Sequence, residues 1–319
     1  MNISSQKKSP GEVMNEIYSM PEYKLWQRLQ AFNTSIYIFD KNFTELRDLI
    51  TFLLNDPNSE TFRGIRNEDK LRKLQIDIIR RLHNFVAASL SLIDHTRNLY
   101  EKLYFGNNRF PEYQARIDNE FVKDSLSQFV KCLRQYCQHY RPPDIGFYVS
   151  VSNTEEGMIE RKKIILLLED LKTFDSWNSA AKKYMNSQKE YIDILEVTTC
   201  YQEKVMVFYQ WFQSRQTEIH SDELKLFKIK QTELTLLILE GRVNACLNNK
   251  QDMPYRLEEL FEGIFLSDDF EAIEKLPFAS PDRSILSMNI LEKYYNIPDK
   301  LSEKIIRLYR EPGFLEPRK

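Results

Sequence analysis

Glycine is scarce in this chain, at 8 residues in 319. Turn-rich β architectures lean on glycine, so the shortage argues against them. The abundant Leu, Ile, Lys, Glu and Gln argue for helices. Net charge is nearly absent too, at −2. No global field therefore gathers nucleic acid or anionic lipid, and any such binding must come from a local patch. The four cysteines, Cys132, Cys137, Cys200 and Cys246, form no Cys-x-x-Cys pair. They read as reduced core thiols of a cytoplasmic protein, without a disulfide framework. No stretch approaches eighteen consecutive apolar residues, and the opening MNISSQKKSPGEV has no apolar signal core. No membrane association and no secretion are expected.

The usual cofactor signatures are missing as well. The chain has no GxxxxGK[ST], no GxGxxG, no HExxH and no GxSxG. None of His83, His95, His139 and His220 has a glutamate three residues before it, which excludes the Glu-x-x-His of di-iron bundles. No metal and no cofactor are expected. One pattern imitates a metal-dependent nuclease: Pro143-Asp144 followed by Glu160-Arg161-Lys162. In a hairpin, Asp144 would sit at the open end and Glu160 near the turn, about 15 Å apart at about 3.3 Å per residue. One metal cannot bridge that span.

What the chain does have is helical periodicity. Leu29, Phe32, Ile36, Phe39, Phe43, Leu46, Ile50 and Leu53 recur at alternating spacings of three and four, one stripe of a helix that ends at Asn55-Asp56-Pro57-Asn58. Leu71, Leu74, Ile78, Leu82, Phe85, Leu92, Leu99 and Leu103 mark a second helix over about 67–105, closed by Gly106. Val122, Leu126, Phe129, Leu133, Tyr136 and Tyr140 mark a third over about 111–140, stopped by Pro142-Pro143. Three such helices should pack as an antiparallel bundle. Then the period changes to two. Ile145, Phe147, Val149 and Val151 alternate with small or polar residues, and Ile164–Leu168 is a short apolar run. That predicts a β-hairpin, which must pack on helices to be stable. Tyr201, Val205, Phe208, Phe212 and Ile219 mark a further helix, and prolines divide the last 65 or so residues. The expected fold is mainly α: a long-helix bundle, a small hairpin insertion and a second helical part. The expected parts are a loose segment 1–20, a bundle 21–143, a hairpin 144–170 and a helical region 171–319.

The chemistry-bearing stretch is Leu133-Arg134-Gln135-Tyr136-Cys137-Gln138-His139-Tyr140-Arg141-Pro142-Pro143. Imidazole exchanges a proton near neutral pH, and arginine forks onto phosphate. Arg134-x4-His139 in a long helix of an all-helical chain resembles the Arg-x4–6-His motif of the HEPN superfamily, over this stretch and loosely over 21–141. The resemblance implies a four-helix-type bundle that dimerises. Arginine and histidine would meet at the interface and cut RNA without a metal. Gln135 stands where that family commonly has Asn, Asp or His. Tyr140 follows His139 directly, so the tyrosine of a His-x-Tyr variant has no counterpart. On a straight helix, five residues place Arg134 and His139 about 140° apart and about 7.5 Å along the axis. They flank the face opposite Leu133, with Gln135 and Gln138 between, and do not touch.

Other candidates have plainer readings beside the functional ones. His95 lies beside the Leu92/Leu99 stripe, as a hydrogen-bonded bundle residue or a second polar group for the Arg134 site. Arg80 and Arg81 belong to a basic run that could bind RNA phosphates or simply form a solvated helix face. Tyr191, Tyr201, Phe208, Tyr209, Trp211 and Phe212 could stack bases but fall at core spacing. Arg215-x4-His220 repeats the motif at an expected helix break and reads as surface decoration. The expected function is a metal-independent, HEPN-like endoribonuclease, a toxin or defence component, with Arg134 on phosphate and His139 as general acid/base. The rivals are a helical protein that binds a partner without catalysis and a sensor with a pocket between its two helical parts. RNA, a second copy of the chain and a protein are the candidate partners.

Overall fold

The computed structural model describes residues 8–55, 68–154, 157–249, 254, 256–277 and 280–310. The chain is mainly α with one small antiparallel sheet. In order, the elements begin with α1 (Pro10–Ser19), α2 (Pro21–Asn55), α3 (Glu68–Leu103), α4 (Tyr113–Ile117) and α5 (Ser125–Gln135). Strands β1 (Ile145–Thr154) and β2 (Gly157–Leu167) come next. They are followed by α6 (Leu168–Leu171), α7 (Ser179–Ser187), β3 (Tyr191–Asp193) and α8 (Ile194–Ile219). The last elements are α9 (Ser221–Asn248), a 3₁₀ turn (Leu257–Phe261), α10 (Ser267–Glu274), α11 (Pro281–Tyr294) and α12 (Asp299–Arg310). These make two compact units. One is Gln27–His220; the other joins the residues up to Trp26 with those from Ser221 onward.

The larger unit is a bundle of α2, α3, α5 and α8. All eight residues of the first predicted stripe are buried, as are Ile78, Leu82, Phe85, Leu92 and Leu99 of the second. Phe39 packs on Phe85 and Tyr201, and Phe32 on Tyr209 and Phe212. With Ser35 beside His95, these pairs run α2 antiparallel to both α3 and α8. The bundle thus takes its fourth helix from beyond the hairpin. Inside it, Ser89 bonds Tyr201 at 2.8 Å and Thr96 bonds Tyr209 at 2.7 Å. The Thr96 hydroxyl donates to the Leu92 carbonyl, so Tyr209 is the donor to Thr96. Buried hydroxyls here satisfy one another.

The third predicted helix needs correction. It is not one helix over 111–140. A π turn (Asp118–Val122) extends α4, the chain breaks at Lys123-Asp124, and a second π turn (Tyr136–Tyr140) extends α5. Asp124 caps α5, its Oδ2 accepting from the Ser127 amide at 2.8 Å. Each π turn inserts a residue into the 3.6 period, so the residue at its end leaves the core face. Val122 and Tyr140, both predicted inside, are 53% and 47% exposed.

The hairpin is present inside the expected 144–170, and β2 begins at Gly157, well before the apolar run at Ile164. Ile145 pairs with Leu166 and Val151 with Glu160. Ile145, Ile164, Ile165 and Leu166 are buried at its base, whereas Val149, Val151, Met158 and Ile159 are exposed farther out. Strand β3, absent from the expectation, adds to β2 through Ile165↔Asp193 and Leu166↔Ile192.

In the smaller unit, the expected looseness of residues 1–20 is also corrected; residues 1–7 lie outside the described residues. Ser9 and Glu12 form a capping box that starts α1, and Val13 and Ile17 are buried beside Phe227 of α9. A second core joins Leu239 and Val243 of α9 to Phe261, Ile273, Leu291 and Ile305. Among the described residues, no helix is long and apolar enough to cross a membrane.

Candidate functional site

The Arg134–His139 stretch begins in ordinary helix. Phe129, Val130, Cys132 and Leu133 are buried, which fixes the rotation of α5. At its end the Arg141 amide donates to the Tyr136 carbonyl at 3.1 Å, an i→i−5 bond. Pro142 and Pro143 have no amide hydrogen, so the helix cannot continue. Aromatic packing holds the wide turn in place. Tyr136 meets Phe174 edge-on, with centroids 5.6 Å apart, and stacks on Trp177 at 6.1 Å; Trp177 in turn stacks on Phe129 at 5.4 Å.

A buried polar lock ties the same turn to α6 and to the start of β1. Tyr136 Oη donates to Asp170 Oδ2 at 2.8 Å and accepts from Arg141 Nε at 3.1 Å. The Asp144 amide donates to Asp170 Oδ2 at 3.1 Å, and Arg141 pairs with Asp170 Oδ1. Asp170 is only 8% exposed: two hydrogen bonds to Oδ2 replace water it has lost, and Oδ1 faces the Arg141 charge without a hydrogen bond. Burial pushes the Tyr136 phenol up, which keeps it a neutral donor. Sequence reasoning missed this lock. Asp170 lies 26 to 34 residues from the other members, and no local pattern links it to them.

The π turn also changes the geometry of the motif. Arg134 and His139, expected to sit apart, are in contact: Arg134 Nη1 lies 3.5 Å from His139 Nε2. Widening the turn to five residues brings positions i and i+5 onto one side. Arginine has only donors, so His139 Nε2 is the acceptor and the neutral ring carries its proton on Nδ1. His139 is exposed; Arg134, Gln135 and Gln138 are half-buried. Arg134 Nε is enclosed and has no hydrogen-bond partner. Among the described residues, no carboxylate pairs with Arg134.

The second Arg-x4-His is built differently. His220 is 3% exposed and bonds Tyr104 Oη at 3.0 Å. Arg215 is held by Glu112 at 2.5 Å and also by Glu218. The same spacing therefore yields one pair with an exposed histidine and no carboxylate partner among the described residues, and one pair taken up by structure.

The supporting residues are dispersed. His95 turns toward α2, its Nδ1 2.7 Å from Ser35 Oγ, in a groove that no α5 residue lines. Arg80 donates twice to Asp77 Oδ1, at 2.9 and 2.6 Å. Arg81 bonds Asp77 Oδ2 at 3.1 Å and the Glu45 carbonyl at 2.9 Å. Those hydrogen bonds outweigh the burial of Asp77 and hold its carboxyl below the usual range. Arg80 does line a small groove with His83, Cys137, Pro142 and Pro143, next to the segment that carries His139. The aromatic residues of α8 are largely core, Tyr201, Phe208, Tyr209 and Phe212 all being buried.

The metal-nuclease imitation dissolves. Glu160 is opposite Val151, six residues up the hairpin from Ile145 and about 20 Å along it. Glu160 pairs with Lys162 at 3.2 Å. Among the described residues, no three His, Cys, Asp or Glu side chains cluster as metal ligands. Compared with family models, with curated proteins and with solved structures, the chain matches none of them.

Proposed function

We propose that this chain is a metal-independent, HEPN-like endoribonuclease, with Arg134 as the phosphate-binding group and His139 as the general acid/base. The observation that carries the proposal is the π turn that sets an exposed imidazole beside an arginine with no acidic partner among the described residues. Single-residue π insertions are frequent at functional sites because they re-aim side chains.

The chemistry asks for little more. When the Arg134 guanidinium turns from the ring onto the phosphate, His139 Nε2 is released to take the proton of a ribose 2′-hydroxyl, and the 2′-oxygen attacks the adjacent phosphorus. The bond to the 5′-oxygen breaks, and the leaving oxygen takes up a proton from the His139 imidazolium just formed or from water. The products are a 2′,3′-cyclic phosphate and a 5′-hydroxyl. Arg134 stabilises the charge that builds on the phosphoryl oxygens. Such a reading fits a toxin or defence component acting as a dimer, where the partner's copy of the pair would complete the site.

The test is cleavage of a mixed RNA pool in EDTA. His139→Ala should lower the rate by about 10²-fold or more, the usual share of general acid–base catalysis. Arg134→Ala should cost about 10²–10³-fold, as loss of a charge-stabilising donor does. Both variants should keep the wild-type circular dichroism, because His139 is exposed and Arg134 is only half-buried, with no carboxylate pairing with it among the described residues. Absence of cleavage by the wild type favours the second reading, a non-catalytic partner-binding protein. That reading has its own support in the exposed apolar outer part of the hairpin, at Val149, Val151 and Met158.

A further inference from the structure

A groove of about 270 Å³ lies between α2 and α3, away from the Arg134–His139 pair in its lining residues. Phe32 and Leu99, both buried, form its floor. Arg28 and Ser35 stand seven residues apart on α2, and His95 and Lys102 stand seven apart on α3. Two helical turns separate each pair, so each shares one face. The helices run antiparallel, and Ser35 meets His95. Seven residues back on α2 and seven forward on α3, Arg28 therefore comes opposite Lys102. No carboxylate lines this groove. Neither Arg28 nor Lys102 has an ion pair among the described residues. Two like charges facing across a groove repel one another unless an anion lies between them.

The hydrogen bonding also presets the histidine. Ser35 Oγ donates its one proton to the Ala31 carbonyl at 3.1 Å. Ser35 Oγ must then accept from His95, so the ring proton is on Nδ1 and Nε2 is left open. A hydroxyl that fixes ring orientation and tautomer in this way leaves the other nitrogen as the group that meets a ligand.

We propose that this groove is a phosphate-binding site, in which Arg28 and Lys102 hold the oxygens and His95 Nε2, when protonated, supplies a third donor. The ligand is a phosphate group, from an RNA backbone or from a free phosphorylated small molecule. The site does not depend on RNA cleavage at Arg134 and His139.

The experiment follows the imidazole resonances of the full chain by NMR, with His95 assigned through His95→Gln. Inorganic phosphate and a short single-stranded RNA are titrated separately. The expected result is a saturable shift of the His95 signal. It should weaken about tenfold or more in Arg28→Gln/Lys102→Gln, as expected for losing charge-assisted hydrogen bonds. A shift with RNA alone assigns the site to a polynucleotide backbone; a shift with inorganic phosphate assigns it to a free phosphate group. Both support the proposal. A His95 signal that neither ligand moves, or equal binding by the double variant, overturns it. All three substitutions are at exposed positions, and unchanged circular dichroism confirms that the fold is kept.

Discussion

Removing one oxygen atom from Tyr136 tests whether the polar lock holds the π turn. Tyr136→Phe keeps the ring, which is fully buried against Phe174 and Trp177, so no cavity opens. What goes is the donor to Asp170 Oδ2 and the acceptor for Arg141 Nε. Asp170 keeps the Asp144 amide and Arg141, so its charge is under-satisfied rather than abandoned. A hydrogen bond to a charged, buried group sets the cost at about 1.5–3 kcal/mol. For a unit of roughly this size, about 2–4 °C is lost per kcal/mol, so the melting temperature should fall by about 3–12 °C. Thermal and urea unfolding followed by circular dichroism measure both quantities. Pairing Tyr136→Phe with Asp170→Asn in a double-mutant cycle isolates the bond, and a coupling of about 1–3 kcal/mol is expected. A Tyr136→Phe protein as stable as the wild type, or a coupling near zero, would refute the reasoning. The turn would then rest on aromatic packing alone.

Two further outcomes follow from groups outside the lock. Burial pushes the Asp124 carboxyl up, but Lys204 at 2.9 Å and both Ser127 donors outweigh it and hold the group below the ordinary range. Asp124→Ala should destabilise by about 1–2 kcal/mol through loss of the cap. A depressed folded value means that the stabilisation is complete above the unfolded value near 3.9 and is lost as pH falls through the folded one. The gap from wild type in urea unfolding should therefore stay level through neutral pH and close only in strong acid. A gap that closes between about pH 5 and 7 contradicts the assignment. For the thiols, burial pushes Cys137 up to about 12, and Cys132 and Cys246 are also buried. Cys200, expected in the core with the other three, is instead exposed, yet partial burial with Glu196 and Glu203 also raises it. A thiol reagent at neutral pH should label Cys200 alone in the folded protein, more slowly than free cysteine, and Cys200→Ser should abolish that labelling.

The long helices were legible because their stripes are strict and their ends carry clear stops. Every residue in the first stripe is buried, and Gly106, with φ +80°, supplies the left-handed end of the second helix region. The failures have a common physical origin. Helix α1 was passed over because only Val13 and Ile17 mark its inner face; its signal was the Ser9–Glu12 capping box, two residues that stand out only when read as a pair. Strand β3 is three residues long and is chosen by the β2 edge rather than by its own composition. In the third helix the counting itself broke down. A period of 3.6 was carried across Asp118–Val122 and Tyr136–Tyr140, where the backbone does not follow it.

That same breakdown decides how the candidate site should be read. The motif Arg-x4-His occurs twice, and spacing cannot rank the copies. On an α-helical wheel, both pairs point about 140° apart. What separates them is decided at a distance. Around Tyr136, residues from Asp170 to Trp177 select the wide turn, and the turn sets His139 against Arg134 in the open. Around Arg215, Glu112 and Tyr104 claim the arginine and the histidine for the bundle. A charge already neutralised by two glutamates has little left for a phosphate, and a buried imidazole cannot reach one. Arg134 and His139 carry neither burden. The residues that make them a candidate site are thus the ones that shape the turn, and Tyr136→Phe should disturb the contact between Arg134 and His139 as well as the fold.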